Sequence, residues 1–209
     1  MEGTQTNERI GSPRRAPSQQ RSRERVERML AAASALIAEQ GSDAMRMGEV
    51  AERAGVSIGS LYQFFPDKRA IVWALAERYT VEGQACISAA LKDVRDAEGL
   101  GQAFSELVDI YYGLFLAEPV MRDIWSGTQA DKALRQLELA DSRANAEFLI
   151  AVLNRLRPDA DPVALDTTAF LVWQMGEAAM RLAISVDRQE GDRLVAAYKR
   201  MALRELLAE

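Results

Sequence analysis

Apolar residues recur along most of the chain at the three- and four-residue spacing of amphipathic helices. The first run, from about Ser22 to Gln40 and closed by Gly41, contains Val26, Met29, Leu30, Ala33, Leu36 and Ile37. A long helix is predicted from Asp67 to Leu91, because an acidic residue suits the positive end of a helix dipole. Further helices are predicted near residues 100–117, 119–126, 130–156, 161–186 and 190–207. No stretch shows the bounded alternation of a strand, so the pattern predicts an all-α fold.

The ends of these later helices are placed where glycine, proline or serine interrupts the apolar pattern. The predicted breaks are Gly99–Gly101, Glu118–Pro119, Ser126–Gly127, Pro158–Pro162 and Gly191.

Residues 1–21 differ from the rest in composition, being rich in Gly, Pro, Ser, Gln, Thr and Arg with Ile10 as their single branched aliphatic residue. Such a segment cannot bury enough apolar surface to order itself, so a disordered basic arm is predicted there. Its arginines, with Arg23 and Arg25 just beyond it, can either track the phosphates of a nucleic acid or only raise solubility.

A tight turn interrupts the helical pattern between Arg46 and Lys68, in the sequence RMGEVAERAGVSIGSLYQFFPDK. Before the turn, one face of a short helix collects Met47, Val50, Ala51 and Ala54. Gly55 ends this helix at the position where a left-handed conformation is least strained for glycine, and Val56 is expected as a buried hinge.

A second short helix follows the turn, with Ser57 as its N-cap and Pro66 stopping it after about Phe65. Leu61 and Phe65, four residues apart, form its inner face. Its outer face carries short or weakly charged groups, namely Ile58, Gly59, Ser60, Tyr62 and Gln63. Two short helices around a tight turn predict a helix-turn-helix, which presents its second helix to DNA.

The segment from Arg25 to Leu75 resembles the DNA-binding domain of TetR-type bacterial transcription regulators. The family pattern is a small residue, Gly-Val-Ser, two variable residues and then Ser/Thr-Leu-Tyr-x-x-Phe-x-x-Lys. Here it stands as Ala54, Gly55, Val56, Ser57, Ser60, Leu61, Tyr62, Phe65 and Lys68. The chain departs from the family at Arg46, where a capping Ser or Thr is common. An arginine cannot cap, although it can still reach a phosphate.

The resemblance implies about nine helices, with a helix-turn-helix DNA-binding domain at residues 22–68 and a larger ligand-binding and dimerisation domain at residues 69–209. It implies a homodimeric regulator, most often a repressor, that leaves a pseudo-palindromic operator in double-stranded DNA when a largely apolar small-molecule effector binds. The residues expected at the DNA are Arg46, Gly48, Ser57, Ile58, Gly59, Ser60, Tyr62, Gln63 and Lys68. Ile58 and Gln63 are expected to read bases, the two glycines to allow close approach, and the others to hold phosphates.

The predicted helix at 161–186 is apolar on more than one face, so more than one face should be buried. In the resembled family the last two long helices pair with their symmetry mates, and the central helices enclose an apolar pocket. The residues expected to line such a pocket are Tyr111, Trp125, Phe148, Trp173 and Glu177. Each aromatic residue can equally be core packing. Glu177 can hold a cationic ligand, pair with Arg181 or face solvent.

Composition narrows the possible functions. The 209 residues carry a net charge of −5, yet residues 1–69 hold eleven Lys/Arg against nine Asp/Glu, so the basic charge lies at the predicted DNA-binding end. The absence of histidine removes Ser-His-Asp and HExxH chemistry, and we expect no enzyme activity, cofactor or metal. The single cysteine, Cys86, is interpreted as a packing residue and fits a reducing cytoplasm.

No run of eighteen apolar residues and no secretory signal is found, so neither membrane insertion nor export is expected. An alternative to the regulator is a helical ligand-binding or adaptor protein that no longer binds DNA. A small enzyme is a third and weaker alternative.

Overall fold

The computed structural model describes residues 16–127 and 131–208, with side chains over 19–126 and 131–208. These residues form nine helices and no strand, which confirms the predicted all-α fold. The helices are α1 Ala16–Gln40, α2 Met47–Arg53, α3 Ile58–Phe64, α4 Lys68–Leu91, α5 Ala97–Ala117, α6 Pro119–Gly127, α7 Lys132–Leu156, α8 Pro162–Ala183 and α9 Arg188–Leu206. Within the described ranges, no helix is both long enough and apolar enough to cross a bilayer.

Helix α1 begins earlier than the apolar pattern predicted, at Ala16 instead of about Ser22. The prediction of disorder is therefore wrong for residues 16–21. These residues include Ala, Gln and Arg, which favour helix, and Pro17 lies in the first turn, where a missing N–H is not needed. Residues 1–15, the larger part of the predicted arm, lie outside the described residues.

Two of the predicted breaks are wrong, because Gly99–Gly101 lies inside α5 and Gly191 lies inside α9. The helices begin instead after aspartates whose carboxylates accept the first free backbone N–H groups. Asp96 accepts from the Gly99 N–H at 2.7 Å, and Asp187 accepts from the Glu190 N–H at 3.0 Å. The same kind of cap starts α4, α7 and α8, at Asp67, Asp131 and Asp161.

Gly191 serves close packing within its helix. A Cβ atom placed on it would lie 2.6 Å from the Tyr112 hydroxyl and would collide with the Ala183 carbonyl oxygen. The absence of a side chain at this position lets α9 cross tightly over the end of α8 and beside α5.

Helix α4 links the two halves of the molecule. The first three helices enclose fully buried side chains that include Met29, Val50 and Leu61, and the same core continues into α4 through Ile71 and Leu75. Further along, α4 packs on α5, α6 and α7, while α7, α8 and α9 pack closely on one another. A shift of α4 therefore affects both the α1–α3 unit and the helices that follow.

Candidate nucleic-acid interface and internal cavity

The turn between α2 and α3 has the predicted backbone geometry. Gly55 has φ of +65°, a left-handed conformation that favours glycine. Its N–H donates to the Glu52 carbonyl at 3.1 Å, and the Val56 N–H donates to the Ala51 carbonyl at 3.0 Å, so the last turn of α2 is closed. Val56 is half-buried, less than the buried hinge predicted for it.

Helix α3 is fixed at its start and on its inner face. The Ser57 side chain accepts the Ser60 N–H at 3.1 Å, which confirms the predicted N-cap. The helix ends at Phe64, one residue before the prediction, and Phe65 continues in an extended conformation. Leu61 and Phe65 are both buried, so the orientation of α3 on the protein is set by its inner face.

The outer face of α3 is open to solvent. Ile58 is 44% exposed and Tyr62 is 50% exposed, which is unusual for side chains of this size, and Gly59 and Gln63 are exposed as well. Ser60 is half-buried. The guanidinium of Arg25 in α1 lies 3.5 Å from its hydroxyl, which brings a positive charge to this surface.

The two glycines expected near DNA have no packing role in the free protein. A Cβ atom added to Gly48 or to Gly59 would meet nothing within 4 Å. Neither has a positive φ angle, so the backbone at these positions does not need glycine either.

Two basic residues flank the outer face of α3, one exposed and the other held by hydrogen bonds within the protein. Arg46 is the exposed N-cap residue of α2 and its side chain makes no capping hydrogen bond, as predicted for an arginine at this position. Lys68 is held instead, because its Nζ donates to the carbonyl oxygens of Ser42 at 3.3 Å and Asp43 at 2.8 Å. Lys68 thus ties the start of α4 to the α1–α2 connection, a structural role that its position in the motif did not suggest.

A second contact joins the α1–α2 connection to the other half of the molecule. The Ser42 N–H donates to the Asp123 carboxylate in α6 at 3.1 Å. The same short helix carries Met121 and Trp125, which line an internal cavity. Helix α6 therefore contacts the α1–α3 unit on one side and lines the cavity on the other.

The cavity has a volume of about 100 Å³ and is walled by α4 to α9, mostly with apolar side chains. Four of the five residues expected in a pocket line it, namely Tyr111, Trp125, Trp173 and Glu177. Phe148 does not line the cavity and packs half-buried against the core. Cys86 is an exposed residue at the cavity wall, so its interpretation as a packing residue was wrong.

One wall of the cavity is acidic. Glu177 in α8 is buried, and its carboxyl accepts the Ser142 hydroxyl at 2.7 Å. Arg181 donates to the neighbouring carboxylate of Glu138 at 2.8 Å and lies 3.8 Å from Glu177. Burial, followed by a hydrogen bond to Glu138, raises the pKa of Glu177 far above that of an ordinary carboxyl. The predicted pairing with Arg181 is thus present, and the predicted solvent exposure is wrong.

Other polar groups of this wall were not expected from the sequence. Asp141 and Asn145 of α7 line the cavity beside Tyr111, whose pKa is raised by burial and then by the nearby carboxylates of Glu177 and Asp141. Glu138, Asp141, Ser142 and Asn145 recur at helical spacing. That polar stripe is the signal that could have placed them on one buried face.

Comparison with known families covers both halves of the chain. Residues 29–75 match the family described as "Bacterial regulatory proteins, tetR family". Residues 98–209 match "Tetracyclin repressor-like, C-terminal domain".

Individual relatives agree with these matches. The chain is 45% identical over 58 residues to the "HTH-type transcriptional repressor KstR" of Rhodococcus jostii, which is 27% of each chain, so it matches about a quarter of that relative's length. A TetR-family transcriptional regulator from Streptomyces coelicolor superimposes with a TM-score of 0.67 and 26% identity, over 89% of this chain and 97% of the other.

The regulator FadR of Bacillus subtilis, solved in complex with stearoyl-CoA, shares the fold at a TM-score of 0.60 and 18% identity, over 87% of this chain and 97% of the other.

The two family matches cover both parts of the structure described above. The first includes the glycine turn and the capped α3, and the second includes most of the helices around the cavity. The chain belongs to the TetR family of bacterial regulatory proteins.

Proposed function

We propose that this protein is a cytoplasmic, sequence-specific DNA-binding repressor, released from a pseudo-palindromic operator by a small-molecule effector. The observation that carries the proposal is the outer face of α3, where Ile58 and Tyr62 project into solvent from a capped and well-anchored helix. Large exposed side chains on a rigid helix are typical of a contact surface. The amino-terminal match to KstR, which is named a repressor, supports the direction of regulation.

The proposed DNA contacts are of two kinds, those to bases and those to phosphates. Ile58 can pack on thymine methyl groups and Gln63 can hydrogen-bond to base edges in the major groove. Ser60, Tyr62 and Arg46 would hold phosphates and set the register.

Two of the proposed phosphate contacts are already engaged within the protein. Ser57 can still donate its hydroxyl proton, because its cap uses only the oxygen as acceptor. Lys68 has an ammonium hydrogen left beyond its two carbonyl contacts, so it would reach a phosphate without giving up the α1–α2 connection.

We further propose that the protein acts as a homodimer through α8 and α9. Apolar side chains stand exposed along these two helices, namely Val163, Leu171, Met175, Leu182 and Met201. An exposed apolar stripe of this length favours burial against a second copy, and two-fold symmetry lets two α3 helices read half-sites about one turn of DNA apart.

The effector would act through α4 and α6. The cavity of about 100 Å³ is smaller than ordinary ligand pockets of about 300–1,000 Å³. A ligand would therefore have to part its walls. Both α4 and α6 belong to those walls, and both hold the α1–α2 connection through Lys68 and Asp123. Such a ligand regulates only if it binds the parted state more tightly than the closed one.

The decisive experiment is selection of genomic fragments by the purified chain at about 0.15 M salt. An enriched pseudo-palindrome is the expected result. Absence of any enrichment, repeated at low salt, would reject the repressor and leave a helical adaptor that no longer binds DNA.

Gln63→Ala and Tyr62→Ala form a matched pair on the outer face of α3. Loss of the Gln63 amide is expected to relax base preference at one or two operator positions, by about 1–3 kcal/mol each. Loss of the Tyr62 hydroxyl and ring is expected to weaken binding to all sequences alike, because a phosphate contact carries no sequence information. Titration of each variant against operators with single base changes measures both effects. The reverse pattern would exchange the two roles.

Gly59→Ala separates DNA binding from folding. Its Cβ atom has open space, so stability is expected to stay unchanged or rise by up to about 1 kcal/mol. Operator affinity is expected to fall at least tenfold, because the methyl group would hold the α3 backbone away from the groove. Gly113→Ala in α5 is the control, since its Cβ atom also meets nothing within 4 Å. Equal operator affinity of the two variants would argue against close approach at Gly59.

A further inference from the structure

The cavity wall on α7 contains a hydrogen-bond acceptor without a partner. Asn145 lines the cavity and is only 6% exposed, and its Oδ1 has no hydrogen-bond partner among the described residues. The Asn145 side chain also makes a hydrogen bond to the Asp141 carboxylate, which lowers the pKa of Asp141 against the rise that burial causes. Since only the amide NH2 group can donate that bond, Oδ1 is the atom left to accept from a ligand. A buried acceptor facing a cavity calls for a donor from whatever occupies the cavity.

Acidic groups predominate around this acceptor. Asp141 and Glu177 line the cavity, and Glu138 lies beside Glu177. Arg181 pairs with Glu138 and Glu177, and Arg135 lies 4.0 Å from Glu138, whereas no basic side chain of the described residues is at ion-pair distance from Asp141. Asp141 receives a neutral donor, the Gln84 amide, at 2.9 Å. Placing a further negative charge here would be unfavourable in such a poorly solvated site, whereas a positive charge would be compensated.

The part of the cavity lined by α5 and α6 is largely apolar. Leu107, Ile110 and Leu114 of α5 line it together with Met121 of α6. Ile110 and Leu114 are also exposed, so this apolar surface continues outward from the cavity and offers a way in.

We propose that the cavity takes a small apolar molecule bearing a protonated amine, with the ammonium held by Glu177 and Asn145 and the apolar body against α5 and α6. This inference rests on the proposed function, since it names the chemistry of the effector. It disfavours apolar carboxylates, whose charge would face the carboxylate of Asp141 without a cation to compensate it.

The step has a proton balance that can be measured. Glu177 is buried beside Glu138, and its carboxyl holds its proton as long as no cation is bound to it. When an ammonium pairs with Glu177, the carboxyl proton passes to the solvent and the charge of the site stays the same. Binding of an amine should release about one proton, and binding of a neutral alcohol should release none.

Three probes with one apolar body test the head group, namely 4-phenylbutylamine, 4-phenylbutan-1-ol and 4-phenylbutyrate. Calorimetric titration of the full chain at pH 7.5, in buffers of low and high ionisation enthalpy, gives both the Kd and the proton release. Trp125 and Trp173 line the cavity, so their fluorescence reports occupation independently. The amine is expected to bind at least tenfold more tightly than either other probe.

Two variants and one control assign the contacts. Glu177→Gln is expected to remove the preference for the amine and the proton release while leaving the affinity for the alcohol unchanged. Glu147→Gln removes the same charge from an exposed position of α7 and should change neither. Asn145→Ala should weaken the binding of the amine and of the alcohol, because both donate a hydrogen bond to the Asn145 Oδ1. The binding of the carboxylate should stay unchanged.

The outcomes separate this inference from the proposed function, because the titrations contain no DNA. Equal or tighter binding of the carboxylate, an unchanged amine preference in Glu177→Gln, or no binding of any probe would each overturn the inference. If the chain selects an operator but binds no probe, the repressor proposal stands and the amine site is rejected. If the chain binds the amine but selects no DNA, the amine site stands and the repressor proposal is rejected.

Discussion

Leu171→Glu is expected to convert the protein into a monomer and to weaken operator binding by about a hundredfold or more. Leu171 is 54% exposed at the centre of the apolar stripe on α8, one turn from Met175. A carboxylate there would have to be buried without a partner in each copy of a symmetric interface, which costs far more than an interface residue contributes. Without dimerisation each α3 helix binds one half-site alone and the gain from linking two sites is lost. Light scattering gives the mass, and titration with the operator gives the Kd.

Val81→Glu is the matched control for that substitution. Val81 is 65% exposed on α4, which packs mainly on α1, α5, α6 and α7, so the same change there should leave the mass and the operator affinity unaltered. A Leu171→Glu protein that stays dimeric would refute the proposed interface. A monomer that binds the operator with full affinity would refute the need for two half-sites.

The helix-turn-helix could be predicted from the sequence almost to the residue, because its determinants are local. The glycine turn and the serine cap each involve groups within a few positions of one another, and Gly55 and Ser57 behave as their surroundings indicate. The apolar spacing of the later helices likewise predicted their number. These features depend on backbone geometry and periodicity, which neighbouring residues determine.

The starts of α5 and α9 could not be predicted from glycine alone. A glycine weakens a helix by only about 1 kcal/mol, and an aspartate cap three residues before Gly99 and four before Gly191 offsets that cost. At Gly191 the close packing against Tyr112 also favours the small residue. The two breaks were predicted wrongly because glycine was taken as the stronger signal, although its effect on a helix is similar in size to that of the aspartate cap.

The contacts that join the two halves were beyond any local signal. Lys68 donates to carbonyls 25 and 26 residues away, and Asp123 accepts from a backbone N–H 81 residues away. The lining of the cavity was hard to predict for the same reason. The sequence shows that α5 to α8 contain aromatic residues, but it does not show which of their side chains point into the cavity. Trp173 lines the cavity whereas Phe148 packs against the core, and Asn145 lines the cavity although the sequence did not single it out.

Glu177→Gln is expected to stabilise the protein at pH 8 by about 2 kcal/mol and to leave its stability at pH 5 nearly unchanged. Burial and the hydrogen bond to Glu138 raise the pKa of the Glu177 carboxyl to about 9. The folded state therefore keeps a proton that the unfolded chain releases above about pH 4.5, so this residue's contribution to stability is complete below that pH and is lost as the pH rises towards 9.

Glutamine reproduces the protonated carboxyl without its titration. Its oxygen can accept the Ser142 hydroxyl, and its amide can donate to Glu138 as the carboxylic acid does. The gain is smaller than the whole pKa shift would allow, because side-chain relaxation and water entry relieve part of the burial cost.

Urea unfolding at pH 5, 6.5 and 8, at one fixed protein concentration, measures the free energy of unfolding of each variant. The advantage of Glu177→Gln should grow steadily across this range, while the exposed control Glu147→Gln should follow the wild type. A gain that is the same at all three pH values would mean that packing, and not the buried proton, limits stability here. A loss at pH 8 would mean that Glu177 is ionised in the folded protein and that Arg181 stabilises its charge, which would also remove the proton release expected when an amine binds.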